Sequence, residues 1–217
     1  MTQLHAPRPR QRRNSENTKK RLLDAAEAEF AIKGYDGARL GAIASAAGAQ
    51  QALIHHYYGD KEGLYRAVVE RAIETLSKEG WDILERMAPR ADVRAFVEAF
   101  VRALLSYFSS HAPLLAIFRA EASAGGGFSR DLLERHTKPV FDAVVAELES
   151  LARRGEVRAD VDARHLCVSV CGMCAFPFYD EAFLAVIWPV DMKNPAFLEA
   201  RERDIVELVM TRIQPRP

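Results

Sequence analysis

Residues 40–58 have the sequence LGAIASAAGAQQALIHHYY, which predicts two short helices joined by a tight turn. Apolar residues recur with helical spacing over 40–47 and again over 50–57, and Gly48 interrupts the pattern between them. The small side chains around Gly48 allow the two helices to cross closely. Such a pair of helices is a helix-turn-helix, whose second helix presents its outer face to a partner.

The outer face of the second predicted helix is polar, and its size suits the major groove of duplex DNA. That groove admits one α-helix; glutamine can pair with adenine, and a small alanine can meet a thymine methyl group. Basic groups at the ends of the neighbouring helices, Lys61 with nearby backbone N–H groups and Arg39, are predicted to contact phosphates. The predicted DNA-binding residues are Arg39, Gln50, Gln51, Ala52, His55, His56, Tyr57 and Lys61.

Several spaced residues in this region resemble the N-terminal domain of the tetracycline-repressor (TetR) family. They are Gly34-Tyr35, IASAAGA over 43–49, HHYY over 55–58 and KEGL over 61–64, within a match from residue 18 to about residue 69. The sequence departs from the family pattern at Arg39, where Ser or Thr is usual, at Ala49-Gln50, and at Tyr58, where Phe is common.

The resemblance implies a homodimeric repressor that binds a palindromic operator and is released by a small-molecule effector. It also implies that the last two long helices, which the sequence places at 162–178 and 195–213, form the dimer. Two-fold pairing fits the small size of one recognition helix, because half-sites about one helical turn apart double the number of bases read.

The rest of the chain follows helical periodicity, with no alternating strand pattern. We therefore predict an all-α protein in which an N-terminal three-helix helix-turn-helix domain is joined to a larger helical bundle regulatory domain. Residues 1–16 are predicted to be a basic disordered arm, 17–66 the DNA-binding domain, and 67–217 the ligand-sensing and dimerisation domain. Asn17 is the predicted N-cap of a first helix that ends at Lys33.

The net charge of zero conceals a positive N-terminal end. Residues 1–66 hold eleven Lys and Arg against seven Asp and Glu, and residues 1–21 hold seven basic residues against Glu16 alone. A positive end on a neutral chain favours a polyanionic partner. Phosphate or minor-groove contacts and a merely solubilising tail are the two interpretations of the arginines in this arm, Arg8, Arg10, Arg12 and Arg13.

The predicted regulatory domain contains aromatic and polar residues that are candidates for a ligand pocket. The alternative for each aromatic is ordinary core packing, which helical spacing does not distinguish. The candidates are Phe96, Phe100, Leu104, Phe108, His111, Phe118, Arg119, Glu121, Phe141, Met173, Phe176 and Tyr179.

Three cysteines at spacings four and three, Cys167, Cys171 and Cys174, offer an alternative function as a metal or redox sensor. Ordinary burial of a small apolar residue is the other interpretation. No phosphate loop, nucleophile elbow or two-histidine metal helix is present, so neither an enzyme nor a cofactor is predicted. A purely structural helical protein is distinguished by the absence of salt-dependent DNA binding.

The sequence has no apolar run of transmembrane length and no apolar segment after its basic start. No membrane partner is therefore predicted, and a cytoplasmic location is expected.

Overall fold

The computed structural model describes residues 9–87, 92–123, 125, 127, 129–179 and 181–215, with the backbone alone for 9–13, 86–87 and 113. Within these ranges the chain is helical and has no strand, which confirms the predicted all-α class. The helices are α1 (Pro9–Gly37), α2 (Leu40–Ala46), α3 (Gln51–Tyr58), α4 (Lys61–Met87), α5 (Val93–Ser110), α6 (Ala112–Ser123), α7 (Arg130–Leu132), α8 (Lys138–Arg153), α9 (Ala163–Tyr179), α10 (Glu181–Ile187) and α11 (Pro195–Ile213).

Helix α1 begins eight residues before the predicted start, so residues 9–16 are not the disordered arm expected from composition. Arginine and glutamine are good helix formers, and a proline in the first turn loses no hydrogen bond. Asn17 consequently lies inside the helix rather than at its N-cap. The predicted stop is seen at Gly34, whose φ of 69° and ψ of 176° interrupt the helix before its last residues. The remaining arm residues, including Arg8, lie outside the described part of the chain.

The helices divide into two compact units, the first of which comprises residues up to 71 together with 116–129. Its core is built on one face of α1, where Leu22, Ala26 and Phe30 recur every four residues and are buried. Ile43 of α2 and Ile54 of α3 are fully buried as well. This apolar core fixes the two short helices that carry the candidate DNA-binding residues.

An aromatic and an ionic contact attach the start of α4 to α1 within the first unit. The rings of Phe30 and Tyr65 meet edge to face at 4.9 Å between centroids. Arg71 bonds to Asp24 at 2.6 Å and to Glu27 at 2.7 Å. Ion pairs as exposed as these contribute at most about 1 kcal/mol, so the aromatic core is the main attachment.

The second unit comprises residues 72–115 and 130–217 and has its own apolar core. Helix α5 contributes one long buried stripe and packs against both α9 and α11, while α8 packs against α9. Tyr107 is buried and its hydroxyl donates to the carbonyl of Ala72 at 2.8 Å, which satisfies its polar group.

Two segments of the second unit depart from long, regular helices. A π-helical turn, Leu133–Thr137, lies between α7 and α8. The short helix α10 follows α9, and residues 188–194 form a non-helical connection to α11. Within the residues described, no single helix is long and apolar enough to cross a membrane. Two pairs of consecutive helices reach that length and composition together, but each pair is sharply bent at the break between its helices.

Candidate functional site

Helix α3 presents a polar face to solvent and an apolar residue to the core. Ile54 is fully buried, whereas Gln51, Ala52, His55 and His56 are exposed. The predicted base-reading residues therefore lie on the free face of a helix that is anchored from behind. This is the arrangement that entry into a major groove requires.

The side chains at the start of α3 are also accessible. Gln50 is the exposed N-cap of α3, and Arg39 is the exposed N-cap of α2; neither side chain caps its helix. A methyl group built on Gly41 would lie 3.4 Å from Oε1 of Gln51, so the Gln51 amide extends over α2. The turn between the helices therefore leaves these polar groups available to a ligand.

Helix α1 supports the end of α3 through contacts that local sequence patterns do not reveal. Ser15 donates to the hydroxyl of Tyr57 at 3.1 Å, and the Tyr58 hydroxyl donates to the carbonyl of Lys19 at 3.2 Å. The Lys19 ammonium lies 5.2 Å from the centroid of the Tyr57 ring. Tyr57 is accordingly half-buried, and its role includes positioning α3 against α1.

Two basic residues of α1 extend the positive surface beside α3. Lys19 and Arg21 are both exposed, and a methyl group on Gly48 would lie 3.8 Å from a guanidinium nitrogen of Arg21. These two residues are not among those predicted from the sequence to bind DNA. The sequence points to them only through the excess of basic residues before position 22, most of which belong to the predicted arm.

The Lys61 ammonium, predicted to contact a phosphate, already has partners within the protein. Its ammonium donates to the carbonyl of Asp36 at 3.0 Å and lies 5.0 Å from the centroid of the Tyr35 ring. The first turn of α4 is also partly occupied, because Oδ1 of Asp60 accepts from the Gly63 N–H at 2.8 Å. The expected anion site of Lys61 with nearby N–H groups is therefore reduced by an aspartate cap.

We expect Asp60→Ala to lower the free energy of unfolding by about 1 kcal/mol, because the Gly63 N–H loses its cap. Urea unfolding followed by circular dichroism measures the change. Asp36→Ala is the matched control, since it removes the same charge from an exposed position and leaves the carbonyl that Lys61 uses. Equal losses in the two variants would assign the effect to charge rather than to capping.

The second unit contains a cavity of about 90 Å³ with mostly apolar walls, lined by residues of α4, α5, α8 and α9 and by Thr137. Three residues predicted for a pocket line it, namely Phe100, Leu104 and Phe141. The other lining residues were not predicted to form a pocket; they are Leu76, Ser77, Glu79, Gly80, Ile83, Ala103, Thr137, Val140, Val144, Cys167 and Cys171. Gly80 was detectable in principle, because a glycine inside a helix often marks a close approach.

The other predicted pocket residues lie elsewhere. Phe96 lines a smaller cavity of about 30 Å³, and Phe108 is buried in the core. Met173 borders a groove between α9 and α11, and Phe176 and Tyr179 are exposed. Helical periodicity identifies inward positions, but it does not tell which of them meet empty space.

The polar members of the predicted pocket have partners outside the cavity. Nδ1 of His111 lies 2.9 Å from the carbonyl of Tyr107. Phe118, Arg119 and Glu121 belong to the first unit. There the Tyr65 hydroxyl donates to the buried Glu121 carboxylate, and burial together with this negative neighbour raises the pKa of Tyr65.

The structure does not support the cysteine-sensor alternative. Burial raises the pKa of Cys167 and of Cys174 to about 12, and it raises the pKa of Cys171 as well. The thiolate is the form that binds metals and reacts with oxidants, so these thiols are poorly suited to either role. In the part of the chain that is described, no cysteine belongs to a group of three ligand atoms close enough to hold an ion.

Apolar side chains remain exposed on the two helices for which dimerisation was predicted. Val168 of α9 and Leu208 of α11 are 63% and 59% exposed. A methyl group built on Gly172 would meet nothing within 4 Å, so that side of α9 is open. Helices α9 and α11 pack against each other, and large exposed apolar side chains on both are what the predicted interface requires.

Two family models match the chain. One described as "Bacterial regulatory proteins, tetR family" matches residues 22–68, which contain α2 and α3. The other, described as "Tetracyclin repressor-like, C-terminal domain", matches residues 89–209, more than half of the chain.

Curated proteins and solved structures agree with these matches. The transcriptional repressor SCO4008 of Streptomyces coelicolor is 36% identical over 105 residues, which are 48% of this chain and half of that protein. The transcriptional regulator RutR of Escherichia coli is 23% identical over 198 residues, 91% of each chain. The fold is similar to that of FadR from Bacillus subtilis, crystallised with stearoyl-CoA, at a TM-score of 0.67, 16% identity, and coverage of 90% of this chain and 99% of that one.

The helix-turn-helix geometry of α2 and α3 and the two family matches lead to the same result. The chain belongs to the tetracycline-repressor (TetR) family of DNA-binding transcription regulators.

Proposed function

We propose that the protein is a cytoplasmic homodimeric repressor that binds a palindromic operator and leaves it when a small molecule binds the helical domain. Residues 17–66 would act as the DNA-binding domain and 67–217 as the ligand-sensing and dimerisation domain. The observation that carries the proposal is the free polar face of α3, with Gln51 and His55 exposed while Ile54 holds the helix to the core.

The residues assigned to DNA contact divide into two roles. Gln51, Ala52 and the two histidines of α3 are placed to reach base edges, with Nδ1 of His55 already 2.9 Å from the Gly59 carbonyl. That contact leaves Nε2 of His55 for DNA. Charged residues beside them contact phosphates, which fixes the register of the helix without specifying sequence. The assigned phosphate contacts are Arg39 and Lys61, to which we add Lys19 and Arg21.

The cavity supports the ligand part of the proposal. Its walls are apolar and it lies within the second unit, as a small-molecule site of a regulatory domain does. The FadR structure with stearoyl-CoA provides a related fold that holds a small molecule. We assign the cavity a regulatory role, in which the ligand stabilises a conformation that has lower affinity for the operator.

Selection of bound fragments from random duplexes tests the proposed function. We expect the selected sequences to form a palindrome whose half-sites are separated by about one helical turn of DNA or a multiple of it. Recovery of fragments without any shared sequence, or of asymmetric single sites, would contradict the dimeric operator reader.

Gln51→Ala is expected to change base preference at one position of each half-site. Loss of a bidentate pair costs about 1–3 kcal/mol of discrimination at the contacted base, and the other positions keep their preference. Repeating the selection with the variant protein measures this change. Lys61→Ala is the comparison, because losing a phosphate contact weakens binding to all sequences alike. Similar changes in both selections would contradict the two roles.

A further inference from the structure

Helix α9 contains a proline near its end, which removes one backbone hydrogen bond. Pro177 lies within Ala163–Tyr179 and is buried. In an α-helix the N–H at position 177 would donate to the carbonyl of Met173, four residues earlier, but proline has no N–H. The Met173 carbonyl is therefore left without its usual donor inside the helix.

A side chain of helix α11 donates to this same carbonyl. Nη2 of Arg201 lies 3.0 Å from the Met173 carbonyl oxygen, in a partly buried position. Among the residues that the structure describes, the buried Nε of Arg201 has no hydrogen-bond acceptor, and its guanidinium forms no ion pair with a carboxylate. Burying an unpaired N–H group costs free energy, and the bond to Met173 offsets that cost.

The missing hydrogen bond lies within the surface of α9 that is predicted to form the dimer. Four exposed residues follow one another at spacings of four, four and three, so they share one side of the helix. We call them the exposed stripe of α9: Val168, Gly172, Phe176 and Tyr179. The first two precede Met173 and the last two follow it. A bend of the helix at this point would therefore turn the two halves of the stripe away from each other.

We propose that Arg201 is a positioning residue for the dimer: its guanidinium replaces the donor that Pro177 lacks, and so keeps both halves of the exposed stripe aligned for a second copy of the chain. This inference rests on the proposed function, since it concerns the same homodimer. A proline inside a helix otherwise weakens it and allows it to bend. A charged donor suits this role, because its hydrogen bonds are stronger than those between neutral groups.

Arg201→Met is expected to weaken the dimer about tenfold, because it removes the donor and keeps an unbranched apolar side chain. Without the bond, part of the monomers would hold the second half of α9 out of alignment, and the apparent affinity falls by the fraction that remains aligned. A tenfold loss is typical for a hydrogen bond from a charged group. Sedimentation equilibrium of the full-length protein measures the dissociation constant. Arg201→Lys keeps a charged donor and should retain most of the affinity.

A second substitution distinguishes this role from ordinary packing. Pro177→Ala returns an N–H to position 177, so the Met173 carbonyl regains a donor within its own helix. We expect Arg201→Met to leave the affinity unchanged in the Pro177→Ala background. The packing lost with the pyrrolidine ring cancels, because both proteins in that comparison lack the ring. Equal tenfold losses in the two backgrounds, or an unchanged affinity in Arg201→Met alone, overturn the proposal.

A control variant and a local measurement accompany the dissociation constants. Arg203→Met alters an exposed arginine on the opposite side of α11 and should leave the affinity unchanged. Amide hydrogen exchange, measured where both proteins are dimeric, reports on α9 itself. We expect Arg201→Met to accelerate exchange at Phe178 and Tyr179, after the proline, and to leave the first half of the helix unchanged. Native exchange rates along the whole helix contradict the proposal.

The outcomes separate this inference from the proposed function. A native protein that is monomeric at every concentration contradicts the proposed homodimer, and the dimer role of Arg201 with it. A native dimer that tolerates Arg201→Met contradicts the role of Arg201 alone. Where Arg201→Met does not fold, a folded dimer in the double variant Pro177→Ala/Arg201→Met supports the proposal, and a double variant that also does not fold overturns it.

Discussion

Gly63→Ala is expected to destabilise the first unit by at least about 2 kcal/mol, a larger effect than any other single methyl group we would add there. A Cβ atom at this position would lie 2.0 Å from the carbonyl oxygen of Tyr58. The position of the Cβ atom is fixed by the backbone of α4, and that of the carbonyl oxygen by the backbone of α3. No side-chain rotation therefore relieves the overlap. The better helix propensity of alanine returns no more than about 1 kcal/mol.

The chain must shift to relieve this overlap, and a shift of the carboxyl end of α3 is expected to impair DNA binding. Tyr58 contacts α1 through Lys19, and Tyr57 beside it contacts Ser15, so a shift at Tyr58 changes the support of the recognition helix. Urea unfolding and affinity for the selected duplex measure the two effects.

Gly41→Ala is the control for this prediction. A methyl group at Gly41 would touch only the end of the Gln51 side chain, at 3.4 Å, and that amide can move. We expect its stability to be unchanged or slightly increased, as for an ordinary helical glycine replaced by alanine. A Gly63→Ala protein as stable as the Gly41→Ala protein would show that the α3–α4 turn adjusts without cost.

The helix-turn-helix could be predicted almost completely from the sequence because its determinants are local. Gly48 and the apolar spacing on either side placed the two helices at 40–47 and 50–57, and the structure has them at Leu40–Ala46 and Gln51–Tyr58. The outward face of α3 followed from the buried position of Ile54.

The start of α1 could not be predicted because its stabilising contacts are distant in sequence. Ser15 and Lys19 contact residues about forty positions away, at Tyr57 and Tyr58. Composition alone placed residues 9–16 in a disordered arm, since they hold few apolar side chains. The helix there follows from propensity together with contacts that only the folded chain provides.

The cavity shows a different limit of sequence interpretation. Periodicity correctly placed Phe100 and Leu104 on an inward face, but it placed Phe108 there too, and Phe108 packs in a filled core. Whether an inward residue meets empty space depends on the volumes of its neighbours. Gly80 illustrates this, because a methyl group there would lie 2.4 Å from Cγ1 of Val140. The close packing of α4 against α8 therefore depends on a residue without a side chain at this position.

Leu208→Glu is expected to convert the proposed dimer to a monomer and to reduce affinity for the proposed palindromic operator by about 10²–10⁴-fold. Leu208 lies on α11 beside the groove that Met173 borders, and it is largely exposed in the single chain. In the proposed dimer each glutamate would bring a negative charge into an apolar interface, and the neighbouring Arg212 would offset only part of the cost of desolvating it. Val168→Glu on α9 is expected to act in the same way.

The loss of affinity follows from the coupling of two half-sites. In a dimer the second recognition helix binds at a high effective concentration, whereas a monomer must bind each half-site independently. Sedimentation velocity measures the oligomeric state, and fluorescence anisotropy with the whole palindrome and with one half-site measures the coupling. We expect the affinity for a single half-site to be nearly unchanged, because α3 is not altered.

Leu133→Glu is the matched control, since it places the same charge at another exposed leucine of the second unit, on the π-helical turn before α8. It should remain dimeric and bind the palindrome normally. If Leu208→Glu and Val168→Glu both stay dimeric with unchanged operator affinity, α9 and α11 do not form the interface. The exposed Phe183, Val186 and Ile187 of α10 would then be the next surface to alter, because they are large apolar side chains on the helix that follows α9 and packs against it.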